Sequence, residues 1–253
     1  MKFSFIIIGD EILSGRRQDK HLAHGIATLK ARGFALSRAM YLGDDREALI
    51  AYLKQSFATD DVVFSFGGIG VTPDDHTRQA AAAALGVPCV LHPDAEARIR
   101  ERFGAEITPN RLKLGEFPKG ARIIENPFNR IPGFAVGSHY FLPGFPEMAW
   151  PMMTHVLDTD YADIQDGALA IEDSMRVIEG QESKLLDLME SVEATFPGIK
   201  VFSLPSFGGA DGARRHIELG AKGEPAQVKE AMAIMRAEVK KRGLEIEDLP
   251  PMA

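Results

Sequence analysis

The chain has 253 residues, of which 36 are acidic and 29 basic, for a formal net charge of −7. Hydrophobic residues make up 45% and charged residues 26%, which excludes a disordered or fibrous chain; the acidic balance argues against a dedicated nucleic-acid binder. One cysteine, Cys89, excludes an intramolecular disulfide framework, a cysteine-rich zinc site and a CxxC redox pair.

Phe3–Ile8 is a continuous apolar run that stops at Asp10 and Glu11. It is too short for a secretory signal core and reads as a buried strand. No window approaches the roughly 18 apolar residues of a membrane span, so no membrane partner is expected. With one free cysteine and no signal, the cytoplasm is the expected compartment. Gln18–Arg32 carries Leu22, Ile26 and Leu29 at helical spacing and is followed by Gly33 as a C-cap. Ala35–Leu42 is a second strand. Asp44 and Asp45 introduce a helix to about Ala58 whose inner face is Leu49, Tyr52 and Leu53. Val62–Phe66 is a third strand, followed by a glycine loop and the alanine-rich helix Thr77–Leu85, closed by Gly86. Cys89–Leu91 reads as a short strand with Cys89 in the core, and Asp94–Phe103 as a helix.

Ile107–Val136 carries four prolines and reads as an excursion around the sheet. Tyr140–Leu142 is a returning strand and Pro146–Val156 a helix. The acidic stretch Asp158–Gly167 reads as a linker. Beyond it, Ala168–Ile178, Ile199–Leu204 and His216–Leu219 are strands, and Ser183–Phe196 and Pro225–Arg242 are helices. Pro250–Ala253 is expected to be a loose tail. The alternating first half predicts an α/β domain over residues 1–160, a mostly parallel sheet with helices on both faces. The second half predicts a small α+β domain over residues 168–253 with an antiparallel component.

The sharpest chemical signal is the run from Ser65 through Gly67, Gly68, Gly70, Thr72, Pro73, Asp74, Asp75 and His76 to Thr77, between a strand and a helix. Glycines let backbone N–H groups approach an anion, and a helix N-terminus adds partial positive charge, so a phosphate-bearing ligand is favoured. The spacing fits neither a P-loop nor a dinucleotide fingerprint. Two carboxylates would repel a bare phosphate; one is expected to cap the helix and the other to hold a cation or a ligand donor group. A tight strand-to-helix turn is the competing reading. Gly9–Gly15 (with Asp10 and Glu11), Gly43–Asp45 and Leu142–Met148 (with Gly144 and Glu147) also follow strands. These loops converge only if their strands are neighbours. His21 and His24 are three apart and read as a solvated helix face rather than a metal pair, and His76 as a ligand candidate. Arg214–His216 and Lys240–Arg242 read as solvated basic clusters, and Gly220-Ala221-Lys222-Gly223 as an ordinary turn rather than a nucleic-acid loop.

Three of these segments, Gly9–Gly15, Gly67–Thr77 and Leu142–Met148, closely resemble the signatures of the CinA (competence/damage-inducible protein A) N-terminal region, within the molybdopterin-binding superfamily of the MoaB and MogA proteins. Asn110-Arg111, Asn126-Pro127 with Pro132-Gly133-Phe134, and Glu182-Ser183 with Leu185 extend the resemblance over essentially the whole chain. It implies a MoaB/MogA-like three-layer domain, a KH-like second module, no amidase domain within this sequence and a homo-oligomer. It also implies molybdopterin as a ligand, or metal-dependent pyrophosphatase activity on ADP-ribose or FAD. The cation would be Mg²⁺, Co²⁺ or Mn²⁺, with K⁺ as a further ion. By motif position the essential aspartates are Asp44 and Asp75, which are also the expected metal ligands. Asp10 or Glu11 would position water or a second ligand group. Gly67, Gly68, Gly70, Thr72, Asp74, Thr77, Gly144 and Glu147 are the expected ligand contacts. The chain departs from the family pattern at Ser65-Phe66, where two threonines are usual, and at Asn129-Arg130-Ile131, where Gly-Thr-Ala is common. Both changes are expected beside the pocket. A non-catalytic pterin- or nucleotide-binding protein is the alternative, and a KH-like RNA binder a third.

Overall fold

A computed structural model describes residues 1–164, 171–208 and 214–249. The chain divides into two compact units, Met1–Gln165 and Asp166–Ala253. No helix among the described residues is long and apolar enough to cross a membrane.

The first unit runs β1 (Phe3–Ile8), α1 (Asp10–Leu13), α2 (His21–Lys30), β2 (Leu36–Leu42), α3 (Arg46–Phe57), β3 (Val62–Phe66), α4 (Thr77–Leu85), β4 (Cys89–Leu91) and α5 (Pro93–Phe103). It continues with α6 (Pro109–Leu112), β5 (Glu116–Pro118), β6 (Arg122–Ile124), β7 (Gly133–Val136), β8 (His139–Leu142) and α7 (Pro146–Asp160). Its main sheet has the order β2-β1-β3-β8-β7-β6. The four strands β2, β1, β3 and β8 are parallel, and β7 and β6 add on antiparallel.

Strand residues alternate between two cores, as a period of two requires. Phe3, Phe5, Ile7, Phe64 and Phe66 face Leu29 of α2 and Met152, Met153 and Val156 of α7. Ile6, Ile8, Val63 and Phe141 face Leu49 and Leu53 of α3 and Ala80 and Ala81 of α4. Both faces are covered, which is why the central strands read as unbroken apolar runs. On the second face, Phe134 stacks on Phe141 with ring centroids 4.4 Å apart and on Phe117 at 4.9 Å.

Several expectations are corrected. Ile107–Val136 is not only an excursion: β6 and β7 extend the main sheet, and β5 pairs with β4 in a separate two-stranded sheet. Cys89 therefore lies outside the main sheet and is half-buried rather than core. In α2, Ile26 points to solvent, while His21, Gly25, Thr28 and Leu29 are buried. The stretch Asp158–Gly167, read as a linker, contains the boundary between the two units but begins inside α7. Two of its acids are tethered: Asp158 pairs with Arg32 at 2.6 Å, and Asp160 pairs with Arg122 and accepts the Tyr140 hydroxyl at 2.8 Å. Residues 165–167 of that stretch lie outside the described residues.

The second unit runs β9 (Ile171–Ile178), α8 (Leu186–Thr195), β10 (Lys200–Ser206), β11 (His216–Gly223), α9 (Pro225–Lys241) and β12 (Ile246–Asp248). Its sheet order is β10-β11-β9-β12, antiparallel throughout. Met175, Val177, Leu219, Val192, Val228, Met232 and Met235 form its core. The short β12, two of whose three residues are acidic, carries no strand pattern and is absent from the sequence reading. Gly220–Gly223 is no turn: all four residues lie in β11, the first three paired on both sides and Gly223 with β9. A side chain at Gly220 would collide with the Phe202 ring, so close packing explains that glycine. The start of the strand expected at Ala168 and the tail Pro250–Ala253 lie outside the described residues.

Candidate functional site

In an open parallel sheet, ligands bind beyond the carboxyl ends of the strands. Because β2, β1, β3 and β8 are neighbours and parallel, the loops after them leave from one edge. They enclose a cavity of about 460 Å³, within the range of small-molecule sites. The convergence expected from sequence is thus present. Of the expected residues, Glu11, Asp44, Gly67, Gly68, Gly70, Thr72, Asp74, Asp75 and Gly144 line this cavity.

The glycines are required by geometry. Gly67 has φ 105°, and a Cβ there would strike the carbonyl oxygen of Ile8; Gly68 has φ 69°, and a Cβ would strike the Thr77 hydroxyl. The loop is pinned at both ends. Gly67 N–H donates to the Leu142 carbonyl at 3.0 Å, Thr77 N–H to the Gly68 carbonyl at 3.0 Å, and Thr77 Oγ1 to the Gly67 carbonyl at 3.1 Å. Thr77 is fully buried in this duty and does not line the cavity.

Neither aspartate of the loop caps α4, contrary to the expectation. His76 occupies the N-cap position and makes no side-chain cap bond. Asp75 Oδ2 instead accepts from Thr72 N–H at 2.8 Å and from the Thr72 hydroxyl, closing a tight turn over the cavity. Asp45 caps α3 through Ala48 N–H at 2.7 Å, which leaves Asp44 for other work. Asp44 and Asp10 lock their loops reciprocally. Asp44 Oδ2 accepts Asp10 N–H at 2.8 Å, and Asp10 Oδ1 accepts Asp44 N–H at 3.2 Å. Asp10 is spent on this lock and does not line the cavity; Glu11 does. Burial raises the Asp44 carboxyl above the ordinary aspartate range, and the nearby charges of Asp10, Glu11 and Asp74 push it further. Glu147 is not among the lining residues.

His21 and His24 are not a solvated face. His21 is buried, stacks on Phe66 at 4.5 Å and reaches the Gly144 carbonyl with Nε2 at 3.1 Å, so it fixes the β8 loop. Burial lowers its pKa. His24 stacks on Trp150 at 3.8 Å. Ser65 and Phe66 lie buried in β3 and do not line the cavity, so the first departure from the family pattern changes the core. The second does reach the site: Asn129 and Ile131 line it beside Asn126 and Pro132. Arg17 is a further lining residue without a prior signal.

Arg78 was also missed. It is 2% exposed, and its guanidinium donates to the carbonyls of Gly70, Lys113 and Glu116. Its signal was in the sequence: helical spacing puts it on the face of Ala81 and Ala82, which are buried. A donor set for a cation exists only in part. Among the described residues no group of three or more His, Cys, Asp or Glu side chains is arranged to hold a metal. The crowded carboxylates at Asp44 would still be relieved by a cation, and Mg²⁺-type sites commonly use one or two carboxylates with ligand phosphates and water. The residues therefore fit a cation that arrives with its ligand.

Residues 4–161 match the family described as a probable molybdopterin binding domain. Protein Ta0487 of Thermoplasma acidophilum is 30% identical over 232 residues, 87% of each chain. A CinA-like protein of Desulfovibrio desulfuricans is 30% identical over 240 residues, covering 92% of this chain and 55% of that protein. A CinA-like protein of Anaeromyxobacter is 40% identical over 131 residues, covering 51% of this chain and 32% of that protein. The chain thus spans between a third and just over half the length of these CinA-like relatives. The crystal structure of a CinA protein with unknown function from Thermoplasma acidophilum matches with a TM-score of 0.57 and 32% identity, over 63% of this chain and 98% of that one.

Proposed function

Since the chain belongs to the probable molybdopterin binding domain family, we propose that its strand-edge cavity binds a phosphate-bearing pterin or nucleotide together with a divalent cation. We propose further that it hydrolyses the pyrophosphate bond of dinucleotides of the ADP-ribose or FAD kind. One observation carries this reading: Glu11, Asp44, Asp74 and Asp75 line one cavity with Gly67, Gly68 and Gly70 of the glycine loop. Carboxylates beside an anion cradle attract phosphate only through a cation between them.

Gly68 and Gly70 would receive phosphate oxygens, while Gly67, whose N–H is held by the Leu142 carbonyl, would shape the cradle. Asp44 and Asp75 would hold the cation, Asp75 with its orientation set by Thr72. A bound divalent cation would polarise the phosphoryl oxygen and lower the pKa of a water. Glu11, rather than the locked Asp10, would orient that water. Ile8, Ile69, Ile131 and Met148 supply an apolar wall suited to a flat heteroaromatic ring.

The test is turnover of ADP-ribose, FAD and NADH with Mg²⁺, Co²⁺ or Mn²⁺, with and without K⁺, followed by product chromatography. AMP release that falls at least about 100-fold in Asp75→Ala and Asp44→Asn supports hydrolysis. Unchanged turnover in both variants would remove the assignment. A non-catalytic binder is the second reading, favoured by the absence of a three-residue metal cluster among the described residues. Tight pterin or nucleotide binding without turnover would establish it.

A further inference from the structure

The loop that forms the wall of the acidic cavity has a second side. Val71, Thr72 and Asp75 line both that cavity and another of about 280 Å³, whose remaining walls include Arg46, His76, Arg78, Lys113 and Glu116. The two sides differ in charge. The first is lined by four carboxylates and Arg17; the second brings three permanent cations against the carboxylates of Asp75 and Glu116.

Arg78 gives this second cavity its physical interest. A buried guanidinium is costly unless a counter-charge and hydrogen bonds compensate it. Its three hydrogen-bond partners are neutral backbone carbonyls, and its Nε has none among the described residues. Burial lowers its pKa, while Glu116 and Asp75 lie near enough to oppose that shift. Arg46, at the first turn of α3, and Lys113 have no side-chain ion pair among the described residues. Arg98, Arg100 and Arg122 of the same unit are each paired with a carboxylate. The basic cavity thus holds more cations than carboxylates, and neither Arg46 nor Lys113 is ion-paired among the described residues.

We propose that this cavity is an anion site distinct from the acidic cavity, taking a single phosphoryl group, with Arg46 and Lys113 as its accessible cations and Arg78 as the buried charge behind them. At about 280 Å³ the cavity is smaller than the acidic one of about 460 Å³. Occupancy would act on the first site through the shared wall, because Arg78 holds the Gly70 carbonyl at one end of the segment that carries Thr72 and Asp75. This proposal does not depend on the hydrolytic reading.

The test is thermal unfolding of the full chain in excess EDTA against rising inorganic phosphate, with chloride at matched ionic strength as the control. Removing divalent cations silences the acidic cavity, whose carboxylates then repel phosphate. The wild type is expected to show a saturable rise in Tm of at least about 3 °C. The Arg46→Gln/Lys113→Gln double variant, which leaves the buried Arg78 in place, is expected to fold and to lose most of that rise. Asp44→Asn is expected to keep it. His76 ring resonances should move with phosphate in the wild type and not in the double variant. Adenosine monophosphate in place of phosphate separates the two sources of the group: an equal or larger rise assigns a phosphomonoester, a smaller one free phosphate. No rise in the wild type, or a full rise in the double variant, would overturn the proposal, and neither result would bear on dinucleotide turnover.

Discussion

In the second unit, arginines and carboxylates meet. Arg236 holds Asp173 at 2.8 Å and Asp248 at 2.7 Å, and Arg242 holds Asp187 at 2.6 Å and Glu238 at 3.1 Å. Around the cavity of the first unit they do not. Glu11, Asp44, Asp74 and Asp75 form no ion pair among the described residues, and the buried Arg78 is bonded to neutral carbonyls. The same side chains thus serve two ends. In one region charges are closed on each other and contribute modestly to stability; in the other they stay open, at some cost to stability, for a ligand to complete.

The largest effect is expected at Arg78. Arg78→Met leaves the Gly70, Lys113 and Glu116 carbonyls without their donor. It is expected to destabilise the first unit by about 4 kcal/mol in urea unfolding. A loss below about 1 kcal/mol would mean that the guanidinium does not organise the loop.

Acid should separate the two units next. His139 is buried in β8 with Nε2 hydrogen-bonded to Ser56 at 2.8 Å, and burial pushes it down to about 4. Its folded pKa lies below the unfolded value of 6.5. The neutral imidazole therefore stabilises fully above pH 6.5, and that stability drains away as the pH falls toward 4, by up to about 3 kcal/mol. In the second unit Arg242 holds the Asp187 and Glu238 carboxyls below their ordinary values of 3.8 and 4.5. Their contribution is present above those values and lost only below them. Hydrogen exchange from pH 7 to 4 should weaken protection in β3 and β8 before β9 and β11. His139→Gln should abolish the early loss.

A closed pair should matter for stability alone. Arg236→Ala is expected to lower stability of the second unit by about 1 kcal/mol and leave ligand binding at the cavity unchanged, as read by denaturation and calorimetry.

The smallest effect runs the other way. Because the Asp44 carboxyl is raised above 3.8, its ionised form opposes folding. Asp44→Asn should therefore leave Tm unchanged well below pH 3.8 and raise it by about 1–2 °C at pH 7, the gain growing as pH climbs through the folded value. The same variant should lose cation-dependent binding. A lower Tm at pH 7 would show that Asp44 is structural.

Much of this was legible in the chain. Unbroken runs such as Val62–Phe66 announce strands covered on both faces, and glycines and carboxylates placed after them announce a strand-edge site. What was hidden depended on long-range pairing. Nothing near Cys89 shows that its strand leaves the main sheet for β5, and the acids at Asp158 and Asp160 resemble a linker until Arg32 and Arg122 meet them. Division of labour among neighbouring acids was equally hidden. Asp10 and Glu11 are adjacent, yet one is locked to Asp44 and the other faces the cavity. His21 looked solvated because its partners, Phe66 and Gly144, are distant in sequence.

The most direct measurement of the open-charge claim is calorimetric titration of ADP-ribose into the full chain, with Mg²⁺ and again in excess EDTA, for wild type and Asp75→Ala. Binding that requires the cation and weakens at least about tenfold in Asp75→Ala is the predicted result. Equal affinity in EDTA, unchanged by the substitution, would contradict a site in which carboxylates reach phosphate through a metal ion.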